Sequence, residues 1–317
     1  MNTAGRLGIY GAGLVVVFGA AFATAGALVP DAAVSAWTDQ ARHDQTPTEQ
    51  ERHTAGPAAA QEEDMRGVTI AASGYVLGPI SAPADPGAPG ELSFRITDAL
   101  GDPVTGYETA HDKQLHLIVV RSDGTAYRHV HPELDTATGT WSLPWTWDAA
   151  GTYRVYADFT GEGGVSATLS RMVDVTGPLA PAAPADTRTT ASVDGFDVRV
   201  RGDVVAGTGS ELTVEVTRDG EAVTTLEPYL GAFGHLVALR QGDLAYLHVH
   251  AHGEEPQAEE LSGPEVRFTV QAPTAGRYLL YLDFQVDGTV HTAPFVIEAA
   301  APTGETPAGT GDDHEGH

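Results

Sequence analysis

The sequence predicts an all-β protein: two tandem β-sandwich domains preceded by one N-terminal transmembrane helix. Three observations carry that reading. An uncharged span of 23 residues runs from Leu7 to Val29, the region after it holds two copies of one motif set, and each copy breaks into short β-branched runs separated by Gly, Pro and Asp turns. Beyond the first span, no long stretch keeps a helical period.

As a helix, Leu7–Val29 would be about 34 Å long, enough to cross a hydrocarbon core of ~30 Å. Gly8, Gly11, Gly13, Gly19 and Gly26 would weaken such a helix in water, whereas membranes tolerate them. Arg6 precedes the span, and Asp31, Asp39 and Asp44 follow it. The positive-inside rule therefore leaves the amino terminus in the cytoplasm and the bulk of the chain outside. The expectation is a single-pass cell-membrane protein; cleavage near Ala23-Thr24-Ala25, giving a secreted form, is the alternative.

Residues 1–30 are thus the anchor, and 31–64 a polar, acidic, flexible stalk. Residues 65–176 and 191–298 are the two repeats, joined by a Pro/Ala linker at 177–190. Residues 299–317 form a disordered acidic tail that bears His314 and His317.

The duplication is direct. Glu91–Thr97 (ELSFRIT) matches Glu211–Thr217 (ELTVEVT), and His116–His131 matches His235–His250 at a constant offset of 119. Ala150–Phe159 (AGTYRVYADF) matches Ala275–Phe284 (AGRYLLYLDF) at an offset of 125, so the second copy gains six residues after its His-x-His. About seven strands in each copy suit a sandwich of the immunoglobulin-like kind. Tyr153 and Tyr278, each in an Ala-Gly-x-Tyr, resemble the tyrosine corner of such domains. Val155 and Leu280 stand where antibody domains carry a disulfide cysteine, so closure falls to aliphatic packing.

Composition narrows the chemistry. The 317 residues carry a formal charge of −26, which argues against a nucleic-acid partner. There is no Cys, so disulfides, thiolate metal sites and thiol nucleophiles are excluded. The 13 His leave imidazole and carboxylate as the strong metal ligands.

Hairpin register places those imidazoles. Asp123-Gly124 reads as a type I′ turn, and the paired residue numbers then add to 247. His116 faces His131, and His129 lies two residues along on the same face. In the second copy Gly242-Asp243 is the turn and the numbers add to 485. His235 faces His250 there, with His248 on the same face. Each trio suits one copper(II) or zinc(II) ion. Three Met, none in the hairpins, disfavour Cu(I). Asp158 and Asp283, in the matching Tyr-x-Asp-Phe, are candidate fourth ligands or orienting groups, and His291 is a further candidate in the second copy.

Two other readings stay open. The histidine faces also carry Ile118, Val120 and Tyr127, and Val237, Leu239 and Tyr246, so the imidazoles could be interior groups bonded to Tyr and Asp in a structural or partner-binding envelope module. A cupin-like enzyme is suggested by Gly242, His248, His250 and Glu254, but the first copy breaks that pattern. No carboxylate pair at recognisable catalytic spacing, nucleophile elbow, P-loop or His-Glu-x-x-His appears, so the chain reads as a non-enzyme, and its sequence names no protein partner.

The duplicated HLIVV/HLVAL…HVH pattern with Gly-x-Tyr…Asp-Phe resembles membrane-anchored extracellular heavy-metal-binding domain proteins of actinobacteria, with YtkA-like sandwich modules. The resemblance spans about residues 65–298. It implies an extracytoplasmic β-sandwich with a role in metal handling, carried by His116, His129 and His131 and by His235, His248 and His250.

Overall fold

Alternation of apolar and polar residues builds the outer sheets. Phe196–Arg201 alternates buried and exposed along its length, as a strand with one face on a core must. Leu115–Arg121 (LHLIVVR) behaves differently: six of its seven residues are buried. A strand that is apolar throughout has both faces covered.

The structure is a computed structural model that describes residues 67–302 apart from positions 248 and 258. The expected membrane span and stalk, His248 and the tail beyond residue 302 lie outside the described residues. Among the described residues the regular elements are strands, and no helix is long and apolar enough to cross a membrane.

The first repeat is two sheets. One orders Ala71–Ala72, Tyr75–Leu77, Gly90–Asp98, Thr140–Trp145 and Glu133–Asp135; the other orders Val165–Val175, Gly151–Gly161, Leu115–Arg121 and Arg128–Val130. Leu92, Phe94, Ile96, Leu117, Val119 and Trp141 fill the space between them. The second repeat repeats the plan. Thr190–Val193, Phe196–Arg201, Gly209–Arg218, Glu265–Gln271 and Val249–Ala251 form one sheet, and Val204–Val205, Thr289–Ala300, Gly276–Val286, His235–Arg240 and Tyr246–Leu247 form the other. The tyrosine corners close as expected: Tyr153 donates to the Ala149 carbonyl and Tyr278 to the Thr274 carbonyl, each at 2.8 Å. Val155 and Leu280, at the disulfide positions, are fully buried in the two cores.

Both hairpin registers agree with the sequence. Ile118 pairs with His129 and Leu117 with Val130, and Ala238 pairs with Leu247. The first turn differs from the expected type I′. Gly124 and Ala126, rather than Asp123 and Gly124, take positive φ. The Asp123 carboxylate is engaged by Arg121 and by the Thr125 amide and hydroxyl, local bonds that select another turn.

A third core lies between the repeats. Ile118, Val120 and Tyr156 of the first pack against Val237, Leu239, Leu244, Tyr246, Leu279, Tyr281 and Val296 of the second, with Tyr127 at the margin. This covers the second face of Leu115–Arg121. The contacts are reciprocal. Tyr156 donates to the Leu244 carbonyl and Tyr281, its counterpart, donates to the Gly124 carbonyl at 2.7 Å. Equivalent tyrosines that each reach the other repeat's turn, at positions one residue apart in the alignment, define an approximately isologous, pseudo-twofold interface. The linker is fastened along it. The Ala182 amide donates to Asp123, Arg277 donates to the Ala185 carbonyl, and Arg188 and Val296 exchange backbone bonds.

Candidate metal centre

His116 lies on the strand Leu115–Arg121, opposite Asp158, on the face turned toward the second repeat. Its Nε2 is 3.1 Å from the Ala110 carbonyl. A carbonyl only accepts, so the proton is on Nε2 and the lone pair on Nδ1. His129, opposite Ile118 on the neighbouring strand, shares that face. Its Nδ1 is 2.9 Å from Asp283 Oδ2 of the second repeat. The carboxylate accepts the Nδ1 proton, so a neutral His129 ring has its lone pair on Nε2.

With both rings neutral, these two lone pairs point at each other. His116 Nδ1 and His129 Nε2 are 3.0 Å apart, and His131 Nε2 is 3.3 Å from His116 Nδ1. With both protons held outward, nothing lies between the first two nitrogens to relieve their repulsion except an added cation, either a proton or a metal ion. Three nitrogens bound tetrahedrally to zinc at about 2.0–2.1 Å stand about 3.3 Å apart. The ligand atoms of His116, His129 and His131 all fall within 4.8 Å of one another, and among the described residues no other such group of three forms.

His116, His131 and His235 are held in the ligand form. Burial, and after it the neighbouring His129, pushes His116 and His131 down to about 3. Burial followed by the surrounding histidines puts His235 well below its ordinary value. Neutral imidazoles need release no proton to bind a metal.

The second repeat reaches the same point. Asp283 is buried, and its Oδ1 accepts from the Thr292 hydroxyl at 2.6 Å while Oδ2 holds His129. His235, opposite Asp283 in register, stacks parallel to His116 with ring centroids 5.6 Å apart and lies 4.9 Å from His129. The exposed His111 ring is 6.2 Å from His116 and 6.0 Å from His235.

Among the described residues one trio forms, and His250, His291 and Asp158 are engaged elsewhere. In the first repeat the chain leaves the inner sheet only after Val130; in the second it leaves after Leu247, about two residues sooner by the repeat alignment. His250 is therefore on the opposite sheet, paired with Thr269 and exposed, and does not face His235. His291 is opposite Phe284, so its side chain enters the second core, against Phe196, and its Nδ1 is 2.8 Å from Asp194. Asp158 is adjacent to His116, but its oxygens accept from Thr168 at 2.7 Å and from Tyr246 at 3.5 Å. One feature escaped the sequence altogether: the Tyr127 hydroxyl is buried with no hydrogen-bond partner, its ring stacked on Tyr281 at 3.9 Å.

Two segments, 72–177 and 191–301, match a family described as a domain of unknown function, DUF8832. The chain belongs to the DUF8832 family. The two DUF8832 segments are the two sandwiches, and each contributes side chains to the centre between them. No curated protein matches the chain. Among solved structures, invasin, a bacterial integrin-binding protein, aligns with 72% of this chain and 38% of its own at 13% identity, TM-score 0.21. The D0-D1 domain of intimin aligns with 72% of this chain and 98% of its own at 15% identity, TM-score 0.20. Domains 1-6 of the surface layer protein SbsC align with 67% and 23% at 13% identity, TM-score 0.23.

Proposed function

We propose that this DUF8832 chain is a non-enzymatic, extracytoplasmic metal-binding protein, anchored by residues 7–29, that holds one copper(II) or zinc(II) ion on His116, His129 and His131. The observation that carries this reading is the convergence of three ring nitrogens, His116 Nδ1 3.0 Å from His129 Nε2 and 3.3 Å from His131 Nε2. The outward protons of His116 and His129 are fixed by Ala110 and Asp283, so the site is pre-organised for a cation. Neutral imidazole suits Zn(II) and Cu(II), and by the Irving–Williams order Cu(II) prevails in equal competition. The chain has no Cys, and Met172, the one Met among the described residues, is exposed on the outer strand Val165–Val175. This set of donors disfavours Cu(I).

The second reading, a structural envelope module, is favoured by the apolar core beside the histidines. In it a single proton shared between His116 and His129 replaces the metal. Titration of the purified, chelator-treated full-length chain with Cu(II) and with Zn(II) separates the two. Metal binding predicts one tight equivalent that disappears on joint replacement of His129 and His131 by Gln. Absence of any tight equivalent leaves the structural module.

A further inference from the structure

We infer that the second repeat completes this centre, with His235 as the fourth imidazole and Asp283 as the positioning residue, so that the bound ion clasps the two repeats together. The inference rests on the metal-binding reading above.

Ring spacing is the first support. Within the trio the centroids are 5.2 Å apart for His116 and His129, and 5.0 Å for His116–His131 and His129–His131. His235 is 4.9 Å from His129 and 5.6 Å from His116, the same range. Four imidazoles around one tetrahedral ion have centroids about 5 Å apart. The His235 ring is parallel to His116, so aiming one of its nitrogens at the shared point takes a side-chain rotation. The remaining rings stay where they are.

Asp283 is the second support. Its bond to His129 fixes the ring orientation and, in the neutral ring, the tautomer that presents Nε2. Thr292 holds the other carboxylate oxygen, which sets the direction of that bond. His129 and Asp283 are 154 residues apart and belong to different repeats. Separation of the repeats would therefore remove the orienting carboxylate and the fourth ring in one movement. Whatever binds the docked form and not the separated one favours docking by mass action.

The test uses the full-length chain. Asp283→Asn keeps the shape of the side chain and removes its charge, and His235→Gln removes the fourth ring. Cu(II) and Zn(II) affinities are measured by competition titration, and coordination by the visible spectrum of bound Co(II). The chain lacks Cys, so Leu100→Cys and Leu261→Cys, at exposed positions one in each repeat, take a pair of spin labels that report docking. The expected results are tenfold to hundredfold weaker binding for Asp283→Asn, an altered Co(II) spectrum for His235→Gln, and a narrower spin-spin distance distribution on adding Zn(II). Should Asp283→Asn fail to fold, the Co(II) spectrum of His235→Gln and the spin-label distances decide. Wild-type binding with both variants within twofold of it, an unchanged spectrum and unchanged distances would overturn the clasp and leave the metal-binding reading standing. No binding by the wild type would overturn both.

Discussion

His116 and His235 occupy the same position in the two repeats and lie face to face across their interface, with ring planes 3° from parallel and centroids 5.6 Å apart. They mark the pseudo-twofold relation between the sandwiches. The symmetry ends with the hairpins: the first repeat keeps His129 and His131 beside that central pair, whereas His250 of the second is on the opposite sheet.

This asymmetry separates two substitutions that look equivalent in the sequence. His131→Ala should weaken Zn(II) or Cu(II) binding at least 100-fold, because it removes a ligand atom from the trio. His250→Ala should leave it unchanged, because His250 is on the opposite sheet. Competition titration of the two variants side by side makes the comparison.

Acid should destabilise the metal-free protein. His116 and His131 titrate near 3 when folded, and His235 is also depressed, whereas an unfolded histidine titrates near ~6.5. Between those values the unfolded chain binds more protons, so stability rises with pH there. The contribution is complete above ~6.5 and is lost as pH falls toward the folded value. His116 alone, almost fully buried, adds a slope of about 1.4 kcal/mol per pH unit within the window. Urea midpoints from pH 7.5 down to 4 should fall steadily below ~6.5, and His116→Phe should flatten the curve.

The apolar interface should carry much of the stability. Leu239 is fully buried between the repeats. Its replacement by Ala removes buried methyl groups and leaves a cavity, which costs about 2–4 kcal/mol. Chemical denaturation measures the loss.

Two tyrosines should respond in opposite directions. Tyr281→Phe deletes the bond to the Gly124 carbonyl and should destabilise by about 1 kcal/mol. Tyr127→Phe removes a buried hydroxyl that has no partner and should be neutral or stabilising by up to about 1 kcal/mol. Thermal unfolding of both variants in the same buffer gives the comparison.

The hairpin registers were legible because alternation and short turns leave few other pairings, and Ile118–His129 and Ala238–Leu247 follow from them. A strand pattern shows that a face is buried and not what buries it, so the docking of the repeats and the His129–Asp283 bond were invisible. His250 was misplaced because register holds only until the chain changes sheets, and that point depends on packing beyond the hairpin. His291 was recoverable. Asp287-Gly288 takes positive φ at both residues, and the Val286–Thr289 pairing it sets puts His291 opposite Phe284, on the face away from Asp283.

The most direct test of the account is the metal stoichiometry of the full-length chain after chelation and reloading with Cu(II) or Zn(II). One tight equivalent per chain, abolished in the His129→Gln/His131→Gln double variant, is the predicted result. Two equivalents, or one that survives the double substitution, would contradict a single centre built on His116, His129 and His131.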